Sequence, residues 1–162
     1  MFSVGDLVVH PMHGAGVIDA IVQEKVAGST QDYYVFKMPV GGLLLKIPTA
    51  NSQAIGIRSI IRQPEAEALI DAMPAMPVEE NSNWNKRYRE NMMRLKSGDL
   101  YEVARVIKGL MQRESVHRLS TGERKMLHSA KQILISEIVL TEGCGYQEVE
   151  DRINQAMTTE EP

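Results

Sequence analysis

A change of hydrophobic period near residue 62 constrains this chain more than any other feature. Up to residue 60, apolar residues come in short β-branched and aromatic runs cut by glycine- and proline-containing turns. From Pro64 onward they recur at helical spacing. Asp6–His10 (DLVVH), Gly16–Val26, Asp32–Met38 (DYYVFKM) and Leu43–Ile47 read as strands, with Gly56–Ile60 as a fifth. Breaks fall at Pro11–Gly16, at Ala27-Gly28-Ser29-Thr30 and at Pro39-Val40-Gly41-Gly42. Strands at roughly ten-residue spacing predict a small, strongly bent sheet or barrel. Such a unit has little room for a buried active site and offers an edge or a face to a partner.

The second part reads as helices. Pro64 suits a first helical position, and Glu65–Met73 is a short helix with acids in its first turn. Met73-Pro74-Ala75-Met76-Pro77 forbids helix, and Val78–Asn81 continues as an acidic connector. Asn83–Gly98 (NWNKRYRENMMRLKSG) is a helix capped by Ser82 or Asn83 and closed by Ser97-Gly98. Asp99 with Glu102 opens a helix whose apolar face is Leu100, Val103, Val106, Ile107 and Leu110. Ser120 with Glu123 opens another, striped by Met126, Leu127, Ala130, Ile133, Leu134 and Ile138 and ended by Gly143 and Gly145. Tyr146–Met157 is an acidic last helix. The expected class is therefore α+β in two domains. A small β domain spans residues 1–62, a short helix and Pro-rich acidic connector 63–81, and a compact all-α bundle 82–162.

Several function classes fall away. No run of about eighteen apolar residues exists, and MFSVGDLVVH lacks a charged n-region, so a soluble cytoplasmic protein without membrane contact is expected. One cysteine, Cys144, leaves no intramolecular disulfide and no multi-cysteine metal site. His10 and His13 have the spacing of a ligand pair but flank Pro11 in a turn with no third ligand nearby. Cys144 has no base beside it, and Glu65, Glu67 and Asp71 read as a solvated helix face. Gly14-Ala15-Gly16 lies between strands, so no helix N-terminus follows to hold a phosphate. No catalytic residue, metal, cofactor or small-molecule substrate is expected. The reading is a binding protein.

Charge says what is bound. The net charge of −3 hides twelve cations against five anions in residues 81–131, flanked by acidic stretches. On the Asn83–Gly98 helix, Trp84, Tyr88, Met92 and Leu95 share one arc. Lys86, Arg87, Arg89, Arg94 and Lys96 occupy the remaining circumference. Short loops would fold Arg124, Lys125 and Lys131 back beside them, with Arg118 in the loop before. Two readings of Trp84 compete: the top rung of a core-facing stripe, or an uncovered aromatic amid a polyanion-binding surface.

The chain resembles the CarD/CdnL family of bacterial transcription regulators. The likeness rests on Val4-Gly5-Asp6, Val8-Val9-His10-Pro11, His13-Gly14, Tyr33–Phe36, Ile47-Pro48 and Gly56-Ile57-Arg58. It rests further on NWNKRYRENMMRLKSGDLYEVARVIKGL and LSTGERKMLHSAKQILISEI. The resemblance implies a Tudor-like N-terminal domain that docks on the β subunit of bacterial RNA polymerase through an exposed strand. Lys46, Ile47 and Pro48 fall at the contact, while Glu24 stands where some members are basic. It also implies a helical domain that meets promoter DNA at the upstream fork of the bubble, without sequence specificity. Trp84 would act there as a minor-groove wedge, and Lys86, Arg87, Arg89, Arg124 and Lys125 would approach phosphates. Stabilisation of the open promoter complex is the implied function, and a monomer is the simpler expectation for the chain itself. The alternative is a polymerase adaptor whose helical domain binds another protein.

Overall fold

The structure, a computed structural model, describes residues 1–79 and 82–159. The acidic connector at residues 80 and 81 and the end of the bundle at residues 160–162 lie outside the described residues. Five strands, β1 (Leu7–His10), β2 (Gly14–Val26), β3 (Ser29–Lys37), β4 (Leu44–Pro48) and β5 (Arg58–Ser59), form one antiparallel sheet in the order β4-β3-β2-β1-β5. Thr49–Asn51 is a 3₁₀ turn that leads into the short α1 (Ser52–Ile55) before β5.

Val26 pairs directly with Ser29, so the β2–β3 turn is only Ala27-Gly28, with φ of 53° and 82°. Positive φ at both central residues matches the right-handed strand twist, and the ladder therefore runs closer to the tip than the predicted four-residue break. A bulge between Ile18 and Ala20 bends β2. The β domain buries Val8, Ile18, Tyr34, Phe36, Met38, Ile47 and Ile57 as a core of its own.

Five helices follow: α2 (Gln63–Ala72), α3 (Trp84–Lys96), α4 (Leu100–Val116), α5 (Thr121–Glu142) and α6 (Tyr146–Thr158). The predicted stripes of α4 and α5 are buried throughout, joined by Leu95 of α3 and Val149, Ile153 and Met157 of α6.

Residues 63–79 are no spacer. Ala66, Ile70, Met73 and Met76 belong to the helical core. Met73–Ala75 makes one 3₁₀ turn with Pro74 near its start, where the missing N–H costs nothing. Buried Lys108 holds this turn from below, its ammonium donating to the carbonyls of Met73 (2.8 Å), Pro74 (2.8 Å) and Met76 (3.0 Å). Arg105 Nε donates to Pro77 O at 3.2 Å.

The sheet also docks on α5. Gly14 (φ 109°) lies so close that an added Cβ would stand 2.4 Å from Ser136 Oγ, which makes glycine obligatory there. The two cores stay separate, and the sheet meets the helical domain along the middle of α5.

Candidate nucleic-acid interface

The N-termini of α3 and α5 lie side by side, each capped as the sequence predicts. Asn83 Oδ1 accepts from Lys86 N–H (3.1 Å), and Ser120 Oγ accepts from Glu123 N–H (3.2 Å). Trp84, the first residue of α3, stacks on Tyr88 one turn later, with ring centroids 5.0 Å apart and planes at 17°. Its Nε1–H donates to Ser120 Oγ at 3.1 Å. Gly122 closes the seat, since a Cβ there would touch Tyr88 at 3.5 Å and Trp84 at 3.7 Å. The indole remains 41% exposed. It is neither a core rung nor a loose side chain, but a ring oriented by a hydrogen bond and a stack.

Beneath the ring lies a buried ion pair. Arg87 Nε donates to Glu123 Oε2 at 3.0 Å, and Arg113 Nε stands 3.8 Å from the same oxygen. Ser120 Oγ donates to Glu123 Oε1 at 3.2 Å. Burial works to raise the Glu123 pKa, but Arg87, Ser120 and Arg113 outweigh it and hold the carboxyl below its ordinary value. Arg87 is therefore corrected from a phosphate contact to a structural residue: it is 8% exposed, because its position on α3 turns toward α5 and not toward solvent.

Lys86, Arg89, Arg124 and Lys125 are exposed, and none forms an ion pair with another described residue. Arg124 reaches only the Thr121 hydroxyl, at 3.5 Å. Arg94, by contrast, is held by Glu79 (3.0 Å) and Glu102 (3.4 Å). The positive ends of two helix dipoles meet beside the ring, and the four exposed cations sit in the first two turns of the same helices, Lys86 and Arg89 on α3 and Arg124 and Lys125 on α5. Sequence reasoning missed Glu123 as the partner of Arg87 and Ser120 as the partner of Trp84. The sequence marks both only as capping residues, and cap chemistry says nothing about a neighbour on another helix.

At the far side of the sheet, β4 pairs only with β3, so its outer backbone edge has no partner among the described strands. Leu44 is 59% exposed. Lys46 is half-exposed and ion-paired with Glu24, whose carboxylate neutralises part of its charge. Ile47 is corrected as a side-chain contact: it is 4% exposed and sits in the sheet core, since neighbouring residues on a strand face opposite ways. Pro48 is half-buried at the strand end. The His10 and His13 rings lie 4.5 Å apart, tilted at 53°, and no group of three or more metal-ligating side chains occurs among the described residues. Among the described residues no helix is long and apolar enough to cross a membrane.

Residues 2–61 match the family model for the CarD-like/TRCF RID domain, and residues 68–154 that for the CarD C-terminal domain. The chain belongs to the CarD family. YdeB of Bacillus subtilis (strain 168), named as a candidate transcription factor, is 32% identical over 143 residues, covering 88% of this chain and 94% of its own. The solution structure of the 72-residue N-terminal domain of Myxococcus xanthus CarD is 30% identical over 36% of this chain and 79% of its own, with a TM-score of 0.32. In this CarD-family regulator the RID match contains the β4 edge, and the C-terminal match contains the whole Trp84 seat. The latter match starts inside α2, in keeping with the packing of α2 and Met73–Met76 into the helical core.

Proposed function

We propose that this CarD-family protein grips the β subunit of RNA polymerase with the β4 edge and sets Trp84 into promoter DNA at the upstream fork of the bubble, stabilising the open complex. The observation that carries this reading is the Trp84 seat: an indole hydrogen-bonded to Ser120, stacked on Tyr88 and left 41% exposed where the N-termini of two cation-bearing helices meet. Lys86, Arg89, Arg124 and Lys125 approach phosphates, which gives salt-dependent affinity without base readout. The ring enters the minor groove and holds a base step unstacked. Unstacking costs a few kcal/mol in intact duplex and less where polymerase has already opened the strands. The wedge therefore prefers the fork. Ser120 and Tyr88 orient the ring beforehand, so little side-chain freedom is lost on contact.

On the sheet, an extended segment of polymerase adds to β4 through main-chain hydrogen bonds, with Lys46 and Pro48 at its margin. Docking raises the local concentration of the helical domain at the fork, so weak DNA contacts suffice. The protein acts as a monomer in the cytoplasm, brought to the nucleoid by polymerase.

The test is the decay of preformed promoter complexes. Trp84→Ala shortens their lifetime while polymerase binding is retained; Lys46→Glu weakens polymerase binding itself. An unchanged lifetime with Trp84→Ala, together with no added footprint at the upstream fork, sinks the DNA half of the proposal in favour of a protein adaptor.

A further inference from the structure

α5 carries two pieces of machinery at different heights. Its first turn seats Trp84 through Ser120 and Gly122, and its middle receives the sheet. Gly122 and Ser136 are fourteen residues apart on one unbroken helix, about 21 Å at 1.5 Å per residue.

The sheet joint is polar and directional. The N–H of Ala15 donates to Ser136 Oγ at 2.9 Å, and that hydroxyl donates to Ile133 O at 2.9 Å. The Arg58 guanidinium grips Glu137 with two hydrogen bonds of 2.8 and 2.7 Å, while its Nε donates to Gly98 O at 3.1 Å in the α3–α4 turn. Ile61 N–H gives Glu137 a third donor at 2.8 Å, and Thr141 Oγ1 donates back to Ile61 O at 3.1 Å. Ser136 and Glu137 have no exposed surface, although they interrupt an apolar run of Ile133, Leu134, Ile135 and Ile138. A carboxylate buried in such a run is costly unless it is fully bonded. Packing alone would favour an apolar residue there and would tolerate sliding of the sheet along the helix; forked hydrogen bonds tolerate neither sliding nor rotation.

We propose that Arg58, Ser136 and Glu137 are positioning residues that lock the sheet to α5 at one angle, so that α5 serves as a rigid strut between the polymerase-docking edge and the Trp84 seat. A sheet fixed on polymerase then delivers the indole to one place on the DNA instead of sampling a volume, and no ordering of the domains remains to be done on binding. The functional half of this proposal rests on the reading of Trp84 given above.

The test uses the full chain with Cys144→Ser and labels at the exposed positions of Gln31→Cys and Glu114→Cys. The clamp is removed by Arg58→Met with Glu137→Met, which strands no buried charge. Pulsed electron resonance is expected to give one narrow inter-domain distance in the parent and a broadened distribution in the double variant. Polymerase affinity stays unchanged, and the lengthening of open-complex lifetime is lost to the extent seen with Trp84→Ala. Arg58→Lys, which keeps the charge but not the fork, gives an intermediate width and serves as the readout if the double variant melts. An unbroadened distribution overturns the clamp; a broadened one with full lifetime overturns its role in delivery. If the wild-type protein itself does not lengthen open-complex lifetime, the functional reading falls, and the distance distribution still decides the clamp.

Discussion

The guanidinium of Arg87 lies 3.0 Å from the carboxylate of Glu123, with both side chains almost sealed from solvent. This pair joins α3 to α5 directly beneath Trp84. Breaking a buried ion pair typically costs about 3–5 kcal/mol. Glu123→Ala and Arg87→Ala are therefore expected to lower the thermal midpoint sharply, whereas Arg87→Met with Glu123→Leu stays near the wild type. Melting curves showing only a surface-sized loss for the single variants would contradict the burial described for this pair.

Ser120 does three things with one hydroxyl: it accepts from the Trp84 indole, accepts from Glu123 N–H, and donates to the Glu123 carboxylate. Ser120→Ala is expected to cost about 1 kcal/mol as a lost cap. It also frees the ring. Because Trp84 is the sole tryptophan, its fluorescence anisotropy reports the seat directly and should fall in Ser120→Ala while the helical circular dichroism persists.

Exposed and paired cations make separable predictions. Each of Lys86→Ala, Arg89→Ala, Arg124→Ala and Lys125→Ala should reduce the salt dependence of fork-junction DNA binding by about one unit of log–log slope. Each should change stability by no more than about 0.5 kcal/mol. Arg94→Ala is the control, because Glu79 and Glu102 already hold that side chain, and the slope should stay as in the wild type. Binding titrations over a salt series decide it.

What could be read beforehand follows from how far each signal reaches. Periodicity is local, so the stripes of α4 and α5 and the change at residue 62 were legible. Capping is also local, and Asn83, Asp99 and Ser120 cap as expected. The burial of Arg87 was not legible. The helical period gives its angle on α3, but the helix lying on that side starts more than thirty residues later. Ile47 is a different case. Strand alternation alone sets Lys46 and Ile47 on opposite faces, so their side chains do not share one exposed surface. Ser136-Glu137 inside an apolar run was a visible anomaly, yet its partner Arg58 is 79 residues away. The Met-Pro-Ala-Met segment read as a connector because proline breaks α-helix, and nothing local signalled that Lys108 would cap its carbonyls.

That lysine makes the next prediction. Lys108→Met keeps the stem volume and removes the ammonium, so the carbonyls of Met73, Pro74 and Met76 lose their shared donor. An unsatisfied buried acceptor costs about 1–3 kcal/mol. The expected outcome is a lower thermal midpoint together with faster proteolysis in residues 73–79. Unaltered cleavage there would mean that apolar packing of Met73 and Met76 holds the turn by itself.

His10 gives the chain a pH dependence above the carboxylate range. Its Nδ1 accepts the N–H of Met12 at 3.1 Å, a bond that needs the unprotonated nitrogen, and the His13 ring lies 4.5 Å away. Burial, and then the neighbouring charge of His13, pull the His10 pKa from 6.5 to about 4. The folded value lies below the unfolded one, so on acidification the unfolded chain takes up the proton first. Stability held above pH 6.5 is then lost progressively down to about pH 4, and His10 contributes no further slope below that. The ring is half-exposed and solvent screens it, so the loss should be about 1–2 kcal/mol, below the full linkage value. Glu123, held below its ordinary 4.5, keeps its contribution until the pH falls under that figure. Glu142 is raised, first by the neighbouring Glu67 carboxyl and then by burial, and so works in the opposite direction as pH falls. Denaturant unfolding at pH 7.5, 6.5, 5.5 and 4.5, roughly unit steps across the histidine range, should therefore trace a decline that His10→Asn flattens, because the amide Oδ1 takes the place of Nδ1 as acceptor for Met12 without titrating. An undiminished slope in His10→Asn would assign the acid sensitivity to the carboxylates instead.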